Sequence, residues 1–221
     1  MLRISVTTLE SFRRFLQEEW LSEQKLISQI KREEPPSIHM AIGTAFHDIL
    51  EHPHERVKYD DKKDIHYFES GGIVFPFETI TKAYDQISYR YPFEVKTTKD
   101  YIVDGEAVRV VAMADQLIGN IACEHKTTYG NFDCARYAES YQWRYYCDLF
   151  SSDIVIYKVF EFPRLNQSKM DLRLKDMHIF SMWRYPGMET DLKLLLGHFV
   201  GWVKFRKLEA YLTPKEYADA A

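Results

Sequence analysis

The spacing of apolar residues changes period several times along the chain, and each change predicts an element. Ser5 to Thr8 have the residue types of a helix start, and Leu9, Phe12, Leu16 and Trp20 then recur at helical spacing, predicting a helix down to about Ile30. Glu33-Glu34-Pro35-Pro36 ends it. Ser37 is placed to cap a second helix carrying Met40, Ala41, Phe46 and Leu50, which stops before Pro53. The charged stretch from Glu51 to Asp64 predicts a surface loop. Ile65 to Pro76 holds Gly71-Gly72 between short apolar runs, the pattern of a hairpin, and Phe77 to Arg90 returns to helical spacing.

From Phe93 the pattern becomes that of strands. Three segments, Phe93 to Val103, Ala107 to Ile118 and Ile121 to Lys126, are separated by Asp104-Gly105 and Gly119-Asn120, which predicts a β-meander. Cys134 to Phe150 reads as helix, while Ile154 to Phe162 and Met177 to Trp183 read as strands rich in β-branched and aromatic residues. A last amphipathic helix from about Met188 to Tyr211 sets Leu192, Leu195, Phe199, Trp202 and Val203 on one side. No repeat and no Pro, Gly or Ser-rich linker interrupts the 221 residues. The expected organisation is one domain with N-terminal helices within 5–52, a sheet core over 93–162 and a C-terminal helix over 187–212. The expected class is α/β, a central mixed or antiparallel sheet flanked by helices.

The second meander turn brings two acids together. If Gly119-Asn120 is a two-residue hairpin loop, Ile118 pairs with Ile121, and each further pair steps one residue outward on both strands, so Asp115 falls opposite Glu124. Directly opposed side chains share a face with Cβ atoms roughly 4.5 to 5.5 Å apart, and like charges there repel. Lys126 follows Glu124 at the strand period of two and shares its face. A solvated carboxylate pair has the same spacing and no function. The neighbours argue for more. Val111, Met113 and Leu117 accompany Asp115 on its face and Val110, Ala112, Ala114 and Ile118 fill the other, so the strand is expected to be buried on both sides. Two buried acids beside a lysine suit a hard divalent cation, which keeps waters for a phosphate and a nucleophile.

Composition narrows the class of partner. Apolar residues make up 46% and charged residues 28%, values of a folded globular chain, and the 15% of aromatic residues is enough both to fill a core and to leave rings for stacking. A net charge of -4 excludes a protein that coats nucleic acid through a broad basic excess, and leaves room for a local track helped by cations. Cys123, Cys134 and Cys147 are an odd number without a CxxC pair, which fits a reducing compartment. The N-terminus mixes charge with its apolar residues and no apolar run approaches the ~18 residues of a membrane span, so a cytoplasmic location is expected.

Four ordered motifs carry a family resemblance. Gly43-Thr44-Ala45-Phe46-His47, Ala114-Asp115, Glu124-His125-Lys126 and Gln142-Trp143-Arg144-Tyr145-Tyr146 together resemble the PD-(D/E)xK nuclease superfamily, in particular its RecB-type exonuclease branch. Ser5-Val6-Thr7-Thr8-Leu9 with Phe12 and Trp20 is similar to the N-terminal helix of that branch. The resemblance implies a restriction-endonuclease-like core. It also implies Mg²⁺ or Mn²⁺ held by His47, Asp115, Glu124 and the backbone carbonyl of His125, with Lys126 orienting or activating the attacking water. Gln142 and Tyr146 would face the metal site or the DNA backbone. His47 alone reads as an ordinary helix histidine, but Gly43 and Thr44, four and three residues before it, leave its face open to close approach.

The implied activity is hydrolysis of single- or double-stranded DNA from an end, leaving 5′-phosphates, in recombination, repair or replication, with phage or mobile-element enzymes as the nearest analogy and a recombination or replication protein as a further partner. Alternatives are an endonuclease of the same superfamily and a catalytically silent DNA-binding protein. Ala114 stands where the motif has proline, which leaves the acid intact. Relatives with an iron-sulfur cluster use one cysteine in the first helix and three near the C-terminus. Phe15 occupies the first of these positions and no cysteine follows Cys147, so no cluster is expected. Outside the motifs, Glu94 is a candidate further acid, Ser5 and Thr7 are either caps or phosphate contacts, and Arg136, Arg144 and Lys158 are candidate phosphate contacts by proximity in sequence.

Overall fold

The computed structural model describes residues 1–17, 21–87, 89–165 and 171–213. Strand β1 (Leu2–Ser5) runs straight into helix α1 (Val6–Gln17), followed by α2 (Glu23–Lys31) and α3 (Ile38–Glu51). The first apolar period therefore covers two helices and not one. Ser22 caps the second by accepting from Lys25 N at 3.3 Å, and Arg32 ends it in a left-handed conformation with φ 58°. Leu9, Phe12, Leu26 and Ile30 all enter the same core, so periodicity reported the buried side and missed the break. Trp20 lies outside the described residues. Ser37 does cap α3, accepting from Met40 N at 3.3 Å.

The charged stretch expected to be a loop instead forms α4 (Pro53–Arg56) and β2 (Val57–Asp60). Val57, Lys58 and Tyr59 are exposed and, among the described residues, β2 pairs only with β3 (Ile65–Ser70), so there is no buried face for a pattern to reveal. β3 turns through Gly71-Gly72 into β4 (Ile73–Pro76), the expected hairpin, and α5 (Phe77–Tyr84) is shorter than its apolar run.

The meander is β5 (Phe93–Val103), β6 (Glu106–Ile118) and β7 (Ile121–Tyr129), the last running three residues beyond its expected end. The helix expected over Cys134 to Phe150 is broken into α6 (Cys134–Ala138) and α7 (Gln142–Leu149), and β8 (Ile154–Phe162) and β9 (Asp176–Trp183) follow. The last helix divides into α8 (Met188–Phe205) and α9 (Glu209–Leu212), with Lys207 at φ 56° between them.

The central sheet is mixed. β6 gives one edge to β5 from Val103–Glu106 to Phe93–Gln116. Its other edge is shared: β1 lies parallel along Val108 to Val111, and β7 lies antiparallel along Gln116 to Ile118. β8 then pairs parallel with β7, and β9 antiparallel with β8. Between β1 and β7, the stretch from Ala112 to Asp115 has no ladder partner on that edge among the described residues. This opening positions everything described below.

Each face of the sheet is covered. Val155, Tyr157 and Val159 of β8 pack with Leu9, Phe12 and Tyr145 on one side, whereas Phe160 and Phe162 pack with Phe46, Ile49 and Phe75 on the other. Fully burying one such side chain stabilises the fold by about 1.5–3 kcal/mol. β6 departs from expectation, because only its Val108, Val110, Ala112 and Ala114 face is fully buried, while Met113 is 48% exposed and Val111 and Leu117 are half-buried. No helix among the described residues is long and apolar enough to cross a membrane.

Candidate active site

The hairpin register holds for three pairs, Ile118–Ile121, Leu117–Ala122 and Gln116–Cys123, and then the ladder stops. At the next position the Asp115 side chain replaces a backbone partner: its Oδ2 accepts from His125 N at 2.7 Å. A carboxylate inserted between two strands forces them to part. Its Oδ1 faces His47 Nδ1 at 3.3 Å. His47 is carried by α3, which lies on the side of Phe46 and Phe160, where the His125 ring also sits with its centroid 6.2 Å from that of His47.

Glu124 points the other way. It sits level with Tyr157, and Lys126 level with Val159, so both project to the face packed by α7. Lys126 Nζ donates to Glu124 Oε2 at 2.6 Å, and Gln142 Nε2 donates to the same oxygen at 3.1 Å. Glu124 is 1% exposed, and its Oε1 is buried without any hydrogen-bond partner. A bare carboxylate oxygen in such a place is costly unless a cation meets it. Where the two strands part, groups from helices on opposite faces thus come within reach of one another.

The charges are divided accordingly. Burial pushes the Asp115 carboxyl up, but the charge of His47 and the hydrogen bond from it prevail and hold it well below the usual carboxylate range. Burial, then the charge of Asp115, push Glu124 up to about 7 against the pull of Lys126. The two neighbouring acids thereby share the site unequally, Asp115 drawn below and Glu124 pushed above the usual carboxylate range. Burial would lower both His47 and Lys126, yet both are raised, His47 by Asp115 and Lys126 by Glu124. Each acid is matched to its own cation.

The remaining sequence candidates divide. Gln142 and Tyr146 do face Glu124, Gln142 donating both to it and to the Tyr146 hydroxyl, while Trp143 and Tyr145 are buried in the core. Glu94 stands between two register pairs, Phe93–Gln116 and Val95–Ala114, which sets it level with Asp115, and it is exposed with φ 49°. Ser5 Oγ accepts from Thr8 N at 3.0 Å, the capping role. Arg136 lines a cleft of about 150 Å³ with Arg14, Lys126, Thr127 and Gln142. Arg144 and Lys158 are elsewhere: the Arg144 guanidinium stacks over Tyr141 at 4.2 Å, and Lys158 Nζ donates to Gln86 O at 2.6 Å. Proximity in sequence misplaced these two because Lys158, though level with His125 on β8, extends its ammonium to Gln86 O, and Arg144 lies between Gln142 and Tyr146 on the other side of α7.

Two features had no sequence signal that could be read. Glu10 on α1 is buried and accepts from Tyr141 N at 2.8 Å, holding the start of α7 while also pairing with Arg13 and Arg14. A glutamate on an amphipathic helix announces nothing until α7 is brought beside it. Glu161, Asp176 and His178 form the one group of acid and imidazole ligand atoms mutually within 4.8 Å among the described residues. Lys175 and His178 already occupy both Glu161 oxygens, so an ion-pair network accounts for this group. His47, Asp115 and Glu124 do not close to that spacing, each acid being drawn to its own partners. A larger groove of about 960 Å³ lies on the outer face of the β2–β3–β4 sheet, and none of the motif residues lines it.

No protein-family model matches the chain, and no curated protein matches it in sequence. Among solved structures it is similar to SSO0001, with a TM-score of 0.50 at 16% identity over 90% of this chain and 76% of that one. It is also similar to the alkaline exonuclease LHK-Exo from Laribacter hongkongensis, with a TM-score of 0.46 at 13% identity over 94% and 93% of the two chains. A phage related exonuclease from Haemophilus somnus 129PT gives a TM-score of 0.41 at 9% identity over 91% and 96%. The likeness to SSO0001 extends to the fold: a mixed α/β architecture with a central mixed sheet flanked by helices.

Proposed function

We propose that this protein is a metal-dependent nuclease that hydrolyses DNA phosphodiester bonds from an end, with Asp115, Glu124, Lys126 and His47 as its centre. The observation that carries the reading is the bare, buried Oε1 of Glu124 beside Asp115, whose own carboxylate ends the β6–β7 ladder. Asp115, Glu124, His47 and the His125 carbonyl would hold Mg²⁺ or Mn²⁺ by closing up from their metal-free spacing, and the ion when bound would supply Lewis acidity and a more acidic water. Lys126, which pairs with Glu124, would orient the attacking water and stabilise the charge growing on the phosphate oxygens. Without metal the His47 imidazolium pairs with Asp115, and it would have to give up its proton to join the ligands. Arg14 and Arg136 in the adjoining cleft provide local positive charge for the backbone despite the chain's net charge of -4.

Degradation of end-labelled linear DNA in Mn²⁺, compared with covalently closed circles, tests both the chemistry and the preference for ends. Lys126→Ala is expected to lower cleavage by roughly 10²–10³-fold, the usual loss on removing one transition-state donor. Cleavage of closed circles at the same rate as linear DNA would replace the exonuclease reading by an endonuclease one. A wild-type protein that binds no divalent cation and cuts neither single nor double strands would end the enzyme reading.

A further inference from the structure

We propose that Gln142 and Tyr146 are positioning residues that act on the metal through Glu124 and are not contacts to nucleic acid; the inference rests on the nuclease reading above. Tyr146 is 3% exposed, too enclosed to meet a DNA backbone. Gln142 lines the cleft with Arg14 and Arg136, but both its amide protons are directed to Glu124 and Tyr146, which leaves it no donor for a phosphate. The Tyr146 hydroxyl donates to Met113 O at 2.6 Å, and Met113 lies in the stretch of β6 that neither β1 nor β7 pairs. The hydroxyl thus supplies the donor a neighbouring strand would have given. A phenol has one proton, and with that proton committed to Met113 it can only accept from Gln142, whose Nε2 lies 3.0 Å away.

Glu124 Oε2, 3.1 Å from the same nitrogen, is also an acceptor. With Glu124 ionised and paired to Lys126, both neighbours of the Gln142 amide nitrogen require donors, which fixes the amide orientation. With Lys126 at 2.6 Å, Oε2 now receives two donors while Oε1 receives none. The path from Met113 through Tyr146 and Gln142 thereby selects which oxygen of Glu124 is left for a cation. Partners of metal-ligating carboxylates commonly change metal affinity by about 10–100-fold when removed.

The experiment measures two affinities on the full chain: Mn²⁺ by calorimetry without nucleic acid, and a labelled DNA oligonucleotide by anisotropy in EDTA. Gln142→Met keeps the length of the side chain and removes its donors, and is expected to weaken Mn²⁺ binding by about 10–100-fold while DNA binding stays within about twofold. Tyr146→Phe is expected to move in the same direction by a smaller factor, and serves alone should Gln142→Met fail to fold. Unchanged Mn²⁺ affinity in the variants, with or without loss of DNA binding, overturns the positioning role and leaves the nuclease reading standing. A wild-type chain that binds no Mn²⁺ removes that reading, and this inference with it.

Discussion

Glu51 shows how charge near the opening is coupled to stability at the scale of one residue. It lies one turn beyond His47 on α3, and burial, followed by the charge of Glu94, pushes its carboxyl up to about 7 from an ordinary 4.5. A carboxyl raised in the folded state contributes stability that is present below its unfolded value and is lost as pH rises through the folded one. Glu51→Gln, measured without metal, should therefore raise the melting temperature at pH 8 and leave it nearly unchanged at pH 4.5; an equal effect at both would show that burial, not ionisation, governs the site. At this scale the sequence was informative wherever spacing alone decides neighbours. Lys126 meets Glu124 because both lie two residues apart on one strand. Asp115 and Glu124 were placed at one level by a two-residue turn, but no local pattern signals that the Asp115 side chain takes the His125 amide and ends the ladder there.

At the scale of elements, α3 matters because of how closely it approaches β7. A Cβ built on Gly43 would lie 3.3 Å from Thr127 Oγ1, so the first residue of the glycine motif sets the height of the helix that carries His47. Gly43→Leu is expected to lift α3, destabilise the protein by about 1–3 kcal/mol in urea unfolding, and weaken Mn²⁺ binding more than its stability loss explains. Full retention of Mn²⁺ affinity would mean that His47 does not depend on this contact. The breaks inside α1–α2 and α8–α9 were illegible for a shared reason. In each case the apolar residues on both sides of the break bury into one cluster, and a period records only which side is buried. β1 and β2 escaped notice because four-residue strands give too few alternations to stand out.

For the whole molecule, the expected consequence of the centre is linkage between metal and fold. A cation that binds only the folded chain stabilises it by about 2.7 kcal/mol at a hundredfold excess over its Kd. Mn²⁺ should accordingly raise the melting temperature of the wild type and not that of Asp115→Asn, while a shift of equal size in both would place the bound metal elsewhere, with Glu161, Asp176 and His178 the first alternative to examine. The architecture makes such linkage direct. His47 belongs to a helix packed on one face of the sheet and Gln142 to a helix packed on the other, and the two meet the same pair of acids only through the opening in β6.

The chain by itself determined the meander, its turn, the alternation that groups Glu124 with Lys126, the cap at Ser37 and the four motifs in order, because each of these depends on spacing over a few residues. Only the tertiary structure decided that β6 would share one edge between β1 and β7, that Met113 would need Tyr146, that Glu10 would hold α7, and that Arg144 and Lys158 would turn away. Those outcomes depend on which segments distant in sequence become neighbours, and on where a strand edge is left without a partner. A local pattern carries no record of either.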